Sequence, residues 1–202
     1  MTVDVAERMR QVLGQPPRLL PVPEDALGDR GRELVERIRR ITDFSDDEPV
    51  HPFFLTLAHQ PAFFAAFMEF GMTAMASCRL GKRERELVIL RTGWLCGAPY
   101  QFGEHVVTAR NIGLTGDEIE RIKQGSSAAD WSERERALLR AAEELHADAM
   151  ISDETWDVLS GWLDPPELIE LPMIVGHYHV TAFLQNTLRF RLNPGRDGLA
   201  AS

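Results

Sequence analysis

Residues Arg83 to Gly113 read RERELVILRTGWLCGAPYQFGEHVVTARNIG, two helical runs separated only by Gly97-Ala98-Pro99. In the first run, to about Cys96, Leu87, Leu90 and Trp94 fall at helical spacing and mark a buried face. Pro99 suits the first turn of the next helix, because its missing N–H has no intrahelical partner there. That helix ends at Asn111 to Gly113, an ordinary C-terminal signal. Two helices joined by so tight a turn form an antiparallel hairpin, and the rest of the chain has to pack around it.

The remaining segments are punctuated as helices too. Residues 3–12 form a short helix stopped by Gly14, Pro16 and Pro17, and residues 28–41 place Leu34, Ile38 and Ile41 on one face. Phe44 to Pro49 is a loop, followed by a short helix closed by Pro61. Residues 62–76 (AFFAAFMEFGMTAMA) form an apolar helix expected to be buried. Thr115-x-x-Glu118 and Ser132-x-x-Glu135 are capping boxes. Asp164-Pro165-Pro166-Glu167 launches a long apolar helix to about Leu192, which Pro172 is expected to bend or split. No stretch sustains period-two alternation between turn signals. The fold class expected is all-α, with residues 1–50 as an arm and helix, 51–125 as the core, and 126–202 as helices completing the same domain.

The net charge of −9 argues against binding nucleic acid or an anionic membrane unaided, since phosphate affinity needs a basic field. No run of ~20 apolar residues spans a bilayer, and the N-terminus lacks an apolar signal core, so a cytoplasmic protein is expected. Cys78 and Cys96 lie outside any CxxC motif and read as free thiols in a reducing compartment.

Two proton carriers stand out in the hairpin. Glu86 borders the apolar face, where burial disfavours its ionised form and fits it for proton relay. On spacing alone it reads first as the partner of an arginine on a solvated first turn, where negative charge suits the helix dipole. His105 sits between Phe102 and Ala109 on the apolar stripe of its helix, as a hydrogen-bonded core residue or as a general base. The separation of 19 residues across a hairpin permits the two to meet. His177 and His179, two apart on a helix, point different ways, and the spacing around His146 supplies no metal-ligand set, so neither a metal nor a cofactor is expected.

The basic-acidic helix start, Tyr100-x-x-x-x-His105, Ala109-Arg110-x-x-Gly113-Leu114 and the following Asp117-Glu118-Ile119 resemble the carboxymuconolactone decarboxylase family, which includes the alkyl hydroperoxidase D proteins. The resemblance implies an alkyl hydroperoxidase D-like helical bundle that assembles as a homo-oligomer, a trimer or hexamer, through the apolar helices at 53–76 and 168–188. Its peroxidase branch uses a glutamate, a CxxC pair and a histidine. Glu86 and His105 match the glutamate and histidine, but the cysteine positions fall on Ala98 and Gln101. Without attacking and resolving thiols a redox disulfide cannot turn over. The resemblance therefore implies a cofactor-independent lyase acting on a small oxo-acid or lactone carboxylate. In that reading Glu86 and His105 serve as acid and base, Tyr100, Gln101 and Trp94 line the substrate site, and Arg91 anchors a carboxylate. Hydroperoxide reduction through Cys96 alone and a non-catalytic oligomeric binding protein are the alternatives.

Overall fold

A computed structural model describes residues 4–42 and 50–202. The loop expected over Phe44 to Pro49 lies outside the described residues. Among the described residues the secondary structure is helical throughout, and no helix is long and apolar enough to cross a membrane. The chain divides into two compact units, Pro17–Ala76 and the combination of Met1–Pro16 with Ser77–Ser202.

The smaller unit contains α2 (Asp29–Thr42), α3 (Pro52–Leu57) and α4 (Pro61–Ala76). Its core joins Leu27, Leu34, Val35 and Ile38 to Val50, Leu55, Ala58 and Phe64. The imidazole of His51 caps α3 by accepting from the Phe53 N–H at 3.1 Å. Contrary to expectation, α4 is not a buried helix: Phe64 is its only buried residue, and Phe63 is 77% exposed. Its apolar residues encircle the helix, so one packed side cannot cover them all.

The larger unit holds α1 (Val5–Leu13), α5 (Lys82–Leu95), α6 (Pro99–Asn111), α7 (Gly116–Gln124), α8 (Glu133–Asp148), α9 (Asp153–Ser160) and α10 (Pro165–Leu188). The N-cap side chains expected at Thr115, Ser132 and Asp164 are in place, each in a reciprocal box with Glu118, Glu135 and Glu167. Such boxes satisfy two otherwise orphaned N–H groups at each helix start. Pro172 does not split α10, which runs through it as one helix. The proline sacrifices one backbone hydrogen bond, while Leu171, Ile174 and Val175 on either side are buried and hold the axis.

Helix α5 is the axis of this unit. Residues Arg85 to Gly93 are all buried, so every face is covered rather than one stripe. Val88 and Ile89 pack against α8, α9 and α10 through Leu138, Ala141, Leu159, Leu171 and Ile174. Leu87 and Leu90 pack on the other side against Phe102, Val106, Ile119, Ile122 and Leu199. The turn into α6 depends on Gly97 at φ +53°, a left-handed conformation that a side chain disfavours. There the Arg8 guanidinium of α1 donates to the carbonyls of Gly97 and Cys96 at 2.8 and 3.1 Å, tying the N-terminal helix to the hairpin.

Candidate active site

Glu86 is fully buried on α5, and its Oε2 lies 2.8 Å from His105 Nδ1 on α6. A carboxylate at that distance accepts the Nδ1–H, which leaves Nε2 as the basic nitrogen of the ring. The other carboxylate oxygen, Oε1, is buried without a hydrogen-bond partner. Tyr178 of α10 meets the His105 ring edge-to-face at 4.9 Å between centroids. Burial pushes the Tyr178 phenol well above its ordinary range, with the nearby Glu86 carboxylate adding to the effect. Tyr178 went unnoticed in the sequence, where a tyrosine inside an apolar helix reads as core.

Gln101 lies one helical turn before His105, on the same face of α6. It is 1% exposed, and both its amide nitrogen and its amide oxygen lack hydrogen-bond partners. A Cβ placed on Gly93 would come within 3.1 Å of the Gln101 Nε2, so the amide lies directly over that glycine. Gly93 follows Glu86 by two helical turns. The α5–α6 seam therefore carries the carboxylate–imidazole pair at one end and an unsatisfied amide at the other. Such an amide costs free energy when it has nothing to bind.

Other sequence candidates point elsewhere. Arg91 turns inward but toward α7 and α8: Nε donates to Glu143 at 2.9 Å, and Nη1 to the carbonyls of Ile122 and Lys123 at 3.0 and 2.8 Å. Five residues beyond Glu86, it lies about 140° around the helix. Trp94 packs on Phe102 at 5.6 Å beneath the Lys123 ammonium. Tyr100 sits about 140° around α6 from His105, with its ring against Phe190 and its hydroxyl accepting from Asn193. Cys96 and Cys78 are both free thiols. Burial pushes the Cys96 thiol up to about 12, opposed by the Arg8 charge, so it is a poor nucleophile at neutral pH.

His177, next to Tyr178, is held down to about 4, first by burial and then by the charge of His105. In the unfolded chain it takes a proton near 6.5. Between these values the folded state binds fewer protons, so this contribution to stability is lost as pH falls from about 6.5 toward about 4. Urea unfolding at pH 7 and pH 5 should show a smaller loss in His177→Phe than in the parent protein; equal losses would remove His177 as the cause.

Residues 61–144 match the carboxymuconolactone decarboxylase family. No curated protein matches the chain in sequence. Among solved structures, the core of an alkylhydroperoxidase AhpD from Ralstonia eutropha, described as an uncharacterized peroxidase-related protein, superposes with a TM-score of 0.73 at 23% identity, over 89% of this chain and 94% of that one. A protein of unknown function from Agrobacterium tumefaciens, described as a putative antioxidant defence protein AhpD, gives 0.63 at 21% identity over 68% and 94%. The debrominase Bmp8, as a cysteine-to-alanine variant in complex with 2,3,4-tribromopyrrole, gives 0.72 at 14% identity over 89% and 94%. The chain thus carries a segment, residues 61–144, that matches the carboxymuconolactone decarboxylase family, and it shares the helical fold of AhpD-like proteins.

Proposed function

We propose that the protein is a cofactor-independent lyase that removes carbon dioxide from a small oxo-acid or lactone carboxylate. The observation that carries the reading is the Glu86–His105 hydrogen bond at 2.8 Å, on the same seam as the partnerless Gln101 amide. Gln101 offers an N–H pair to a carboxylate or carbonyl oxygen and an acceptor to a hydroxyl. As the carbon–carboxylate bond breaks, its electron pair moves into an enolate. Protonated His105 Nε2 delivers a proton to the enolate carbon and is reprotonated from water. Glu86 is a positioning residue: it fixes the ring tautomer and stabilises the imidazolium. Carbon dioxide release from a panel of small oxo-acids and lactone carboxylates tests the reading. Turnover that survives unchanged in His105→Ala ends it, and a panel without turnover leaves the fold as a binding protein.

Gln101→Leu removes both unpartnered amide atoms from a buried position. It should leave stability unchanged or raise it by up to ~1 kcal/mol, while weakening substrate binding about 3- to 10-fold in KM. Urea unfolding and steady-state kinetics read the two effects separately. A loss of stability with unchanged KM would make Gln101 a packing residue.

Hydroperoxide reduction through Cys96 is the second reading, favoured by the peroxidase-related and antioxidant names of the structural neighbours. Peroxide consumption with a dithiol donor, lost in Cys96→Ser, would establish it in place of the first. We also place the protein in the cytoplasm as a homo-oligomer. Ile169, Met173, Val180 and Phe183 are exposed along one face of α10, an apolar surface of the kind that subunits cover. Light scattering that returns the mass of a single chain would exclude the assembly.

A further inference from the structure

Cys96, at the end of α5, His146, in the last turn of α8, and His179, midway along α10, bring one ligand atom each to within 4.8 Å of one another. They come from three separate helices, and the carboxylate–imidazole pair of the candidate active site includes none of them. The imidazoles face each other with His146 Nδ1 and His179 Nε2 at 2.9 Å. His179 Nδ1 lies 2.8 Å from the Val175 carbonyl, which can only accept, so Nδ1 carries the hydrogen and Nε2 presents its lone pair to the cluster. This is the outer hydrogen bond that metal-bound histidines use to fix ring orientation and raise basicity. Phe183 meets the His179 ring edge-on at 6.0 Å between centroids.

We propose that Cys96, His146 and His179 form a binding site for a divalent transition-metal ion, Zn2+ foremost. One sulfur and two imidazole nitrogens form a soft-to-borderline donor set, which selects such ions over Mg2+ or Ca2+. Tetrahedral Zn2+ with bonds of about 2.3 Å to sulfur and about 2.05 Å to nitrogen needs ligand atoms roughly 3.3–3.6 Å apart. Opening the His146–His179 contact by a few tenths of an ångström and drawing the sulfur inward reaches that geometry. Side-chain rotation suffices, because His146 is exposed and Cys96 is only partly buried. The exposed imidazole also provides an entry path. Three protein ligands leave a fourth position for water or an exogenous ligand, the arrangement of an open site. Arg8 bears on Cys96 and Arg91 on His146. Arg91 is paired with Glu143, and Arg8 donates to the carbonyls of Cys96 and Gly97, so their side chains are held in place by other groups. Binding exchanges the thiol proton and the His–His hydrogen bond for three metal–ligand bonds.

Chelator-treated protein titrated with Co2+ tests the proposal. The expected result is one Co2+ per chain, with thiolate-to-metal charge-transfer absorption that Zn2+ abolishes by displacement. Cys96→Ser should lose that absorption, His146→Ala and His179→Ala should bind at least 10-fold more weakly, and Cys78→Ser should behave as the parent. Zn K-edge absorption on the zinc-loaded parent protein needs no variant to fold. It should return one sulfur and two imidazole nitrogens at the bond lengths above. No thiolate–cobalt band in the parent, a band that persists in Cys96→Ser, or a zinc shell without sulfur would overturn the site.

Discussion

His105→Ala is expected to lower kcat for decarboxylation by about 10²- to 10⁴-fold, the usual contribution of a positioned general acid or base. The same substitution strips Glu86 Oε2 of its donor at 2.8 Å, and Oε1 has none to begin with. A fully buried carboxyl group then has no hydrogen bond, which costs about 1–3 kcal/mol. Carbon dioxide release and urea unfolding measure the two losses independently. Glu86→Gln separates chemistry from packing, since glutamine keeps the volume and can still accept from Nδ1–H. It should retain most of the stability while lowering kcat with little change in KM, because the carboxylate no longer sits opposite the imidazole that moves the proton. A purely structural Glu86 would leave kcat in place.

Arg91→Ala should be the most destabilising single change at any charged position in the hairpin, at about 3 kcal/mol. Its guanidinium side chain is 10% exposed and bridges Glu143 to the carbonyls that end α7. Removal orphans the carbonyls of Ile122 and Lys123. Glu143 keeps its bonds from the Ser126 N–H and hydroxyl, and it is a quarter exposed, which places the cost at the low end for a broken buried pair. KM for the substrate should change less than twofold in the surviving folded protein. A large rise in KM with unchanged unfolding would instead restore Arg91 as a carboxylate anchor.

Much of the fold was legible in local chemistry. The boxes at Thr115, Ser132 and Asp164, the proline at position 99, and the glycines that stop helices act over three or four residues, and the helices start and stop where those residues stand. Burial was less legible. The spacing of Leu87, Leu90 and Trp94 suggested one packed face of α5, whereas α6, α8 and α10 enclose the helix from all sides. The apolar α4 was expected inside, yet Phe63 faces solvent. Periodicity describes one helix, but burial is decided by how many neighbours the fold supplies.

The sequence by itself determined an all-α chain built on the hairpin of Arg83 to Gly113, with Glu86 and His105 as candidate proton carriers and no CxxC between them. Helix signals and residue identity are properties of adjacent positions, so the chain alone suffices to read them. Only the tertiary structure decided which side chains meet: His105 with Glu86 and Tyr178, Arg91 with Glu143 rather than with the seam, and Cys96 with His146 and His179. Those partners are 19 to 83 residues apart along the chain, counting from Glu86 to His105 and from Cys96 to His179. At such separations the direction of a side chain is set by how the helices cross and pack, which no local pattern encodes.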